Sequence, residues 1–334
     1  MDILVTGAAG FIGYHVSNQL LKNNHNVYGI DNLNNYYDVS LKLSRLKILK
    51  KKKNFHFNKI DLINYKKLNL YFKNKNFDLV INLAAQAGVR HSIKKPYDYF
   101  KSNLLGFYNI LEISKKYKIK KFIFSSTSSV YGNDKRFPLQ ENRGSNHPIQ
   151  FYAATKKANE IIAHSYSSMF NMQIIGLRFF TVYGPWGRPD MALFKFVKNI
   201  LENRQIEVYN NGNHYRDFTY IDDVVDCIKK IININLKVDL NFNNYNDPGS
   251  SSNKFAIYNV SNGRTVKLNT FINEIEKQLN KKAKKFFLPM QIGDIRKTLS
   301  SKDKLSKTIS LKKPIDIKTG IKNFINWYRH YYKI

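Results

Sequence analysis

Apolar residues in the first half of the chain fall in short runs with amphipathic stretches between them. Ile3-Leu-Val-Thr6 precedes a helical pattern reaching about Lys22, and Asn26-Val-Tyr-Gly-Ile30 follows it. Leu79-Val-Ile-Asn-Leu83 and Lys121-Phe-Ile-Phe-Ser125 repeat the theme. Short apolar runs bounded by turn residues read as strands buried on both faces, and strand–helix–strand alternation implies a parallel sheet covered by helices on each side. Gln173-Ile-Ile-Gly-Leu-Arg178 extends that sheet, after which the alternation lapses and loops such as Tyr183-Gly-Pro-Trp-Gly-Arg-Pro189 appear. The pattern predicts a doubly wound α/β domain over residues 1–180. A smaller mixed α/β lobe is expected over 181–334, with some segments returning to the first domain. In the lobe, Phe255-Ala-Ile-Tyr-Asn-Val260 reads as an isolated strand, and 269–280 and 319–331 as helices. Asn241 to Lys254, rich in Asn, Ser and Gly without apolar periodicity, reads as a surface insertion.

Composition agrees with a globular chain: 334 residues, 43% hydrophobic, with 22 Tyr and 23 Phe. At roughly 150 residues per domain this length favours two domains. The 55 Lys and Arg against 24 Asp and Glu give a net charge of +31, which raises the question of a polyanionic partner. The excess is mostly Lys spread along the whole chain, and the densest run, Lys50 to Lys53, has no interleaved aromatics, so a solvated surface is expected rather than a nucleic-acid site. The single cysteine, Cys227, has no partner for an internal disulfide and reads as an inert thiol on a helix. No apolar run approaches the length of a membrane span, and the N-terminus enters a strand pattern directly, so a cytoplasmic location without membrane insertion is expected. The eight histidines are scattered, and no metal site is expected.

Gly7-Ala-Ala-Gly10-Phe11-Ile12-Gly13 follows the first strand and opens the first helix. Glycine there permits a tight turn, close backbone approach to a pyrophosphate and close helix packing, while the helix N-terminus supplies amide donors. The second strand ends at Asp31, 18 residues after Gly13, where a carboxylate can accept hydrogen bonds from an adenosine ribose. That carboxylate would repel a 2′-phosphate, and neighbouring Asn32 brings no cation, so NAD is favoured over NADP. Asp61-Leu62 and Leu83-Ala84-Ala85 end two later strands at the same edge, where the rest of a dinucleotide can lie flat; plain core packing is the alternative for the alanines.

Tyr152-Ala-Ala-Thr-Lys156 puts a phenol and an ammonium one helical turn apart on one face. A nearby ammonium stabilises phenolate and makes tyrosine a usable base near neutrality. The spacing alone recurs by chance in a Tyr- and Lys-rich chain. Here it follows a strand ending in Ser125-Ser-Thr-Ser-Ser129, whose hydroxyls can share a reacting proton at the same sheet edge.

With these motifs the chain resembles the extended short-chain dehydrogenase/reductases, and within them the NAD-dependent nucleotide-sugar epimerases. The likeness runs almost end to end: the three glycines, Asp31, Asn103 in Ser-Asn-Leu-Leu-Gly, Tyr152 with Lys156, and Arg216-Asp-Phe-Thr-Tyr-Ile-Asp-Asp223. Ala85-Gln-Ala-Gly-Val-Arg90, Tyr152 to Glu160 and Arg178-Phe-Phe-Thr-Val-Tyr-Gly-Pro-Trp-Gly-Arg-Pro-Asp-Met-Ala192 look most like UDP-glucuronate 4-epimerases. The resemblance implies a Rossmann-type fold and tightly bound NAD. It implies a 4-keto sugar intermediate, with Tyr152 as base, Thr127 as its hydroxyl partner, and Lys156 holding nicotinamide ribose and phenolate. It also implies a cofactor contact for Asn103, a pyrophosphate contact for Arg216, and a uridine-ribose contact for Asp294, although relatives read Pro-Gly-Asp where this chain has Ile292-Gly293-Asp294. Homodimers are common in the family, and the stretches Tyr97–Lys116 and Tyr152–Met169 carry apolar residues on more than one face. UDP-galacturonate formed this way would serve polysaccharide synthesis.

Sister enzymes that dehydrate nucleotide hexoses or decarboxylate UDP-glucuronate typically carry Glu just before Val-Tyr-Gly; this chain has Ser129. Ser128, Ser129 and Thr181 are therefore expected as neutral donors to a substrate carboxylate, with Arg188 as a charged candidate. Rival readings are a 4-epimerase of neutral UDP-hexoses or N-acetylhexosamines, a UDP-glucuronate decarboxylase, and a non-catalytic NAD-sensing regulator. Asn171 and Arg90 read as a helix cap and a structural ion pair, and His91 as a loop side chain.

Overall fold

The computed structural model describes residues 1–334. Strands β1 (Asp2–Thr6), β2 (Asn26–Asp31), β3 (Phe55–Lys59), β4 (Leu79–Asn82), β5 (Lys121–Thr127), β6 (Gln173–Phe179) and β7 (Phe255–Val260) build the main sheet. Their order is β7-β6-β5-β4-β1-β2-β3, and every pairing is parallel. Central strands such as Ile3-Leu4-Val5 and Phe122-Ile123-Phe124 are fully buried, because helices cover both faces. The strand order reverses between β1 and β4, so the loops leaving their carboxyl ends diverge and leave a crevice.

Two features depart from the sequence reading. Phe255–Val260 is not a strand of the smaller lobe: it returns to the main sheet and pairs with β6 from Phe255 opposite Ile174 to Val260 opposite Phe179. Its six residues are all buried, as an edge strand covered on both faces requires. His91 lies not in a loop but in a short helix, Val89–Lys94, with its ring against Tyr36.

Beyond β6 the chain forms small two-stranded sheets and the helices Ala192–Leu201, Ile221–Ile231, Leu268–Leu279 and Ile317–Tyr332. Their apolar faces do not close a core of their own. One continuous core runs from Ile3 and Val5 through Phe194, Ile221 and Phe271 to Tyr328. Stretch 241–254 is turns, bends and irregular backbone with only Gly249 buried, and Asn171 caps its helix in the left-handed conformation. Cys227 is buried on its helix, where desolvation pushes the thiol up to about 12. No helix is long and apolar enough to cross a membrane.

Candidate active site

A cleft of about 1220 Å³ opens over the crevice between β1 and β4 and extends into the smaller lobe. Single drug-sized ligands occupy roughly 300–1,000 Å³, so this volume suits two extended ligands end to end. At its floor, β1 turns at Gly7 (φ +68°) into helix α1 (Phe11–Lys22). A Cβ on Gly7 would sit 2.9 Å from the Ala84 nitrogen, and one on Gly13 would sit 2.0 Å from the Gly7 oxygen. Gly10 is the N-cap with no side-chain cap, so the first-turn amides of Phe11, Ile12 and Gly13 remain available to an anion.

Asp31, at the end of β2, accepts hydrogen bonds from the Ala9 amide (3.2 Å) and the Leu33 amide (2.8 Å). Burial raises its pKa, opposed by nearby Lys42 and those two amides. Asn32 donates to Asp61 at 2.9 Å, and Asp61, Leu62, Leu83, Ala84 and Ala85 line the adjoining wall. Lys42, absent from the sequence reading, also lines the cleft and donates to the Asn34 carbonyl (2.8 Å) and side-chain oxygen (2.7 Å). It arises from helix α2 (Val39–Leu49), whose buried face carries Lys42 and Arg45 among Leu41, Leu46 and Leu49. Two cations on an otherwise apolar stripe were the available signal.

Asn103 corrects an expectation. It does not line the cleft but sits 1% exposed in a π-helical turn, Phe100–Leu105. Its side chain accepts from the Gln86 amide (2.8 Å) and donates to the Gln86 carbonyl (3.0 Å) and Thr155 hydroxyl (3.1 Å). It holds the strand-end backbone after Ala85, and so shapes the cleft wall from behind.

β5 ends at Thr127, which caps a single 3-10 turn, Ser128–Tyr131, accepting from the Ser129 amide at 3.2 Å. Thr127, Ser128, Ser129 and Tyr152 all line the cleft. Burial raises the Tyr152 pKa, while the Thr127 hydroxyl and the Arg188 charge pull it down. The sequence reading gave that lowering to Lys156, which instead lies beneath the cleft surface, 1% exposed, donating to the Ser125 hydroxyl at 3.3 Å. Desolvation holds Lys156 down at about 8, against the pull of Glu160. Glu160, one turn further on, accepts from Ser126 (2.6 Å) and binds Arg178 through two contacts of 2.8 Å. This buried pair ties the Tyr152 helix to β5 and β6.

Arg188, near enough to Tyr152 for its charge to act there, is not free. It makes a two-pronged ion pair with Asp190 at 2.9 and 2.5 Å, and the Tyr36 hydroxyl also donates to Asp190 at 3.2 Å. Arg216 bonds Asp294 at 3.1 Å, with Arg90 (3.8 Å) and His214 (3.7 Å) around the same carboxylate. Arg90 also stacks over Tyr209 at 4.3 Å, so it is an ion-pair residue that faces the cleft. Ile292 is strongly exposed while Gly293 (φ +77°) makes the turn that brings Asp294 to Arg216. Tyr36, Asp190, His214 and Tyr209 were not legible in sequence, because each reaches the cleft through a long-range contact. Thr181 completes the wall.

The residues present fit NAD: an open helix N-terminus floored by glycines that admit no side chain, and a buried carboxylate with lone pairs to spare at the end of the neighbouring strand. Comparison with known proteins agrees. Residues 3–243 match the model of the NAD dependent epimerase/dehydratase family. The chain is 47% identical over 334 residues to Protein CapI of Staphylococcus aureus, covering 100% of both. It is 39% identical over 335 residues to a probable UDP-glucuronate 4-epimerase of Rhizobium meliloti, covering 100% of this chain and 98% of that one. The crystal structure of UDP-glucuronic acid 4-epimerase from Bacillus cereus, in complex with UDP-glucuronic acid and NAD, superposes with a TM-score of 0.89. Its sequence identity is 32%, over 99% of this chain and 100% of that one. With its glycine cradle, Asp31, and Tyr152 beside Thr127 in one cleft, the chain belongs to the NAD-dependent epimerase/dehydratase family.

Proposed function

We propose that the protein is an NAD-dependent UDP-glucuronate 4-epimerase, interconverting UDP-glucuronate and UDP-galacturonate. The carrying observation is that Tyr152 and Thr127 share one cleft with Ser128, Ser129 and Thr181, with Ser129 rather than a carboxylate at the position just before Val130-Tyr131-Gly132. Relatives and a solved structure that bear this activity in their names support the substrate. Residues 1–180 then act chiefly on the dinucleotide and 181–334 on the nucleotide sugar.

When bound, NAD would supply the reversible acceptor for the hydride of the sugar C4. Tyr152 takes the O4 proton, and the Thr127 hydroxyl shares it through a hydrogen bond. The Lys156 ammonium, fixed on Ser125 beneath the cleft floor, would hold the nicotinamide ribose, the role the family resemblance implies for it. The resulting 4-keto sugar turns within the cleft, and return of hydride to its other face with the Tyr152 proton gives the epimer. A 4-keto glucuronate is a β-keto acid and loses carbon dioxide when its carboxylate stands perpendicular to the ketone. Ser128, Ser129 and Thr181 oppose that loss by donating neutral hydrogen bonds to the carboxylate and fixing its plane. Arg216 takes the diphosphate and Asp294 the uridine ribose.

Purified protein incubated with UDP-glucuronate and no added NAD is expected to give UDP-galacturonate alone. A UDP-pentose product would make it a decarboxylase. A second reading, epimerisation of neutral UDP-hexoses, has one observation in its favour: the Arg188 charge is already matched by Asp190, so the carboxylate end of the cleft carries no free cation there. Turnover of UDP-glucose at a rate equal to UDP-glucuronate would establish it. We further propose a homodimer and a cytoplasmic location; neither nucleic acid nor membrane figures in this reading.

A further inference from the structure

We infer that Arg45 is a buried counter-charge for the cofactor's diphosphate, acting through the glycine cradle that it holds from behind. Arg45 is 0% exposed and does not line the cleft. One guanidinium nitrogen donates to the Ala9 carbonyl (2.9 Å) and the Tyr37 hydroxyl (2.7 Å). The other donates to the carbonyls of Trp186 (2.5 Å) and Gly187 (3.4 Å), while its Nε is buried without a partner. Every acceptor is neutral.

Arginine does not shed its proton inside a protein, so a full positive charge is sealed in the interior with no carboxylate in contact. Such a charge is costly unless an anion compensates it. Of the nearby acids, Asp190 is doubly bonded to Arg188, and Asp31 lies in the field of Lys42 first and of Arg45 less, bonded to backbone amides and not to the guanidinium. No carboxylate contacts Arg45, and the anion that the cradle is shaped to receive would complete its compensation. Ala9 lies between Gly7 and Gly10, so the guanidinium is one hydrogen bond from the backbone that faces the diphosphate. Its field there is little screened, because water is excluded from the intervening layer. The same peptide segment is held from its other side, where the Ala9 amide donates to Asp31.

A purely mechanical role is the competing account, since Arg45 also staples the cradle to the loop before Arg188, and His15 bonds Pro185 in the same loop at 2.9 Å. Two ligands separate the accounts: ADP carries the diphosphate, and adenosine fills the same subsite without it. The inference rests on the cradle being the NAD site, so binding of NAD, ADP and adenosine is measured first on wild-type protein stripped of cofactor, by competition at one site.

Arg45→Met is expected to weaken ADP and NAD about tenfold or more while leaving adenosine within about threefold, and Arg45→Lys, which keeps charge but not geometry, to restore most of the loss. Parallel loss of ADP and adenosine, or Arg45→Lys as weak as Arg45→Met, would show a staple only and overturn the inference. Should Arg45→Met not fold, as judged by its melting profile, Arg45→Lys decides alone: ADP affinity within about threefold of wild type supports the counter-charge, and a drop beyond about tenfold overturns it. Wild-type protein that binds neither NAD nor ADP would overturn the cofactor-site reading, and the inference with it.

Discussion

Tyr152 is a base whose surroundings work against it: burial raises its pKa, and only Thr127 and Arg188 lower it. Removing the hydroxyl should therefore eliminate proton transfer without disturbing packing. Tyr152→Phe is expected to lose about 10²–10⁴-fold in kcat while UDP-glucuronate affinity stays near wild type, measured by turnover and by titration calorimetry. Glu160 is the residue whose charge matters most to stability. Arg178 holds its carboxyl down at about 2, below the ordinary glutamate range, although burial opposes this. Its folded pKa lies below its unfolded one, so its stabilisation is complete above about 4.5 and disappears as pH falls through about 2. Glu160→Gln leaves Arg178 buried without a counter-ion and should cost about 3–5 kcal/mol at neutral pH. Urea unfolding from pH 7 to pH 2 should show the wild-type advantage shrinking across that acid window.

Helix α1 works because its N-terminus is bare. The glycine spacing was readable in the sequence, but its tolerance was not: Gly13 packs so closely that a Cβ would overlap the Gly7 oxygen at 2.0 Å. Gly13→Ala should force the cradle open, and the purified variant should carry no NAD, read from its absorbance ratio and from cofactor released on denaturation. The π-helical turn at Phe100–Leu105 does comparable work at a distance. It interrupts the helical stretch 97–116, which sequence periodicity made continuous, and aims Asn103 at the Gln86 backbone. Periodicity could not find this, since one extra residue in a turn leaves the apolar stripe almost unchanged.

Across the whole molecule, one core joins the two lobes, so the cleft between them is rigidly floored. Apolar side chains also remain outside that core. Leu105 and Tyr108 lie on one helix, and Ile161, Met169 and Phe170 on the next, with Ile161 and Met169 each 62% exposed. Exposed apolar side chains gathered on two packed helices are a common mark of an interface, and a two-fold pairing of these helices would bury them. Light scattering coupled to gel filtration should give twice the chain mass of 39.1 kDa, and the double substitution Tyr108→Lys with Ile161→Lys should give the single mass. An unchanged mass in that variant would place the interface elsewhere.

The sequence by itself determined what is local: apolar runs that must be strands, glycines at a strand-to-helix turn, a carboxylate at the next strand end, and a phenol one turn from a lysine. Each depends on neighbours within a few residues, and each stands where it was expected. Tertiary structure decided what depends on distant partners. It returned Phe255–Val260 to the main sheet and buried Lys156 against Ser125. It matched Arg188 with Asp190 and brought Lys42 and Tyr36 to a cleft they share with residues over 100 positions away. Charge pairing and burial are properties of enclosed space. A linear chain names the charged residues, but only the packed interior sets which of them meet and what each encounter costs.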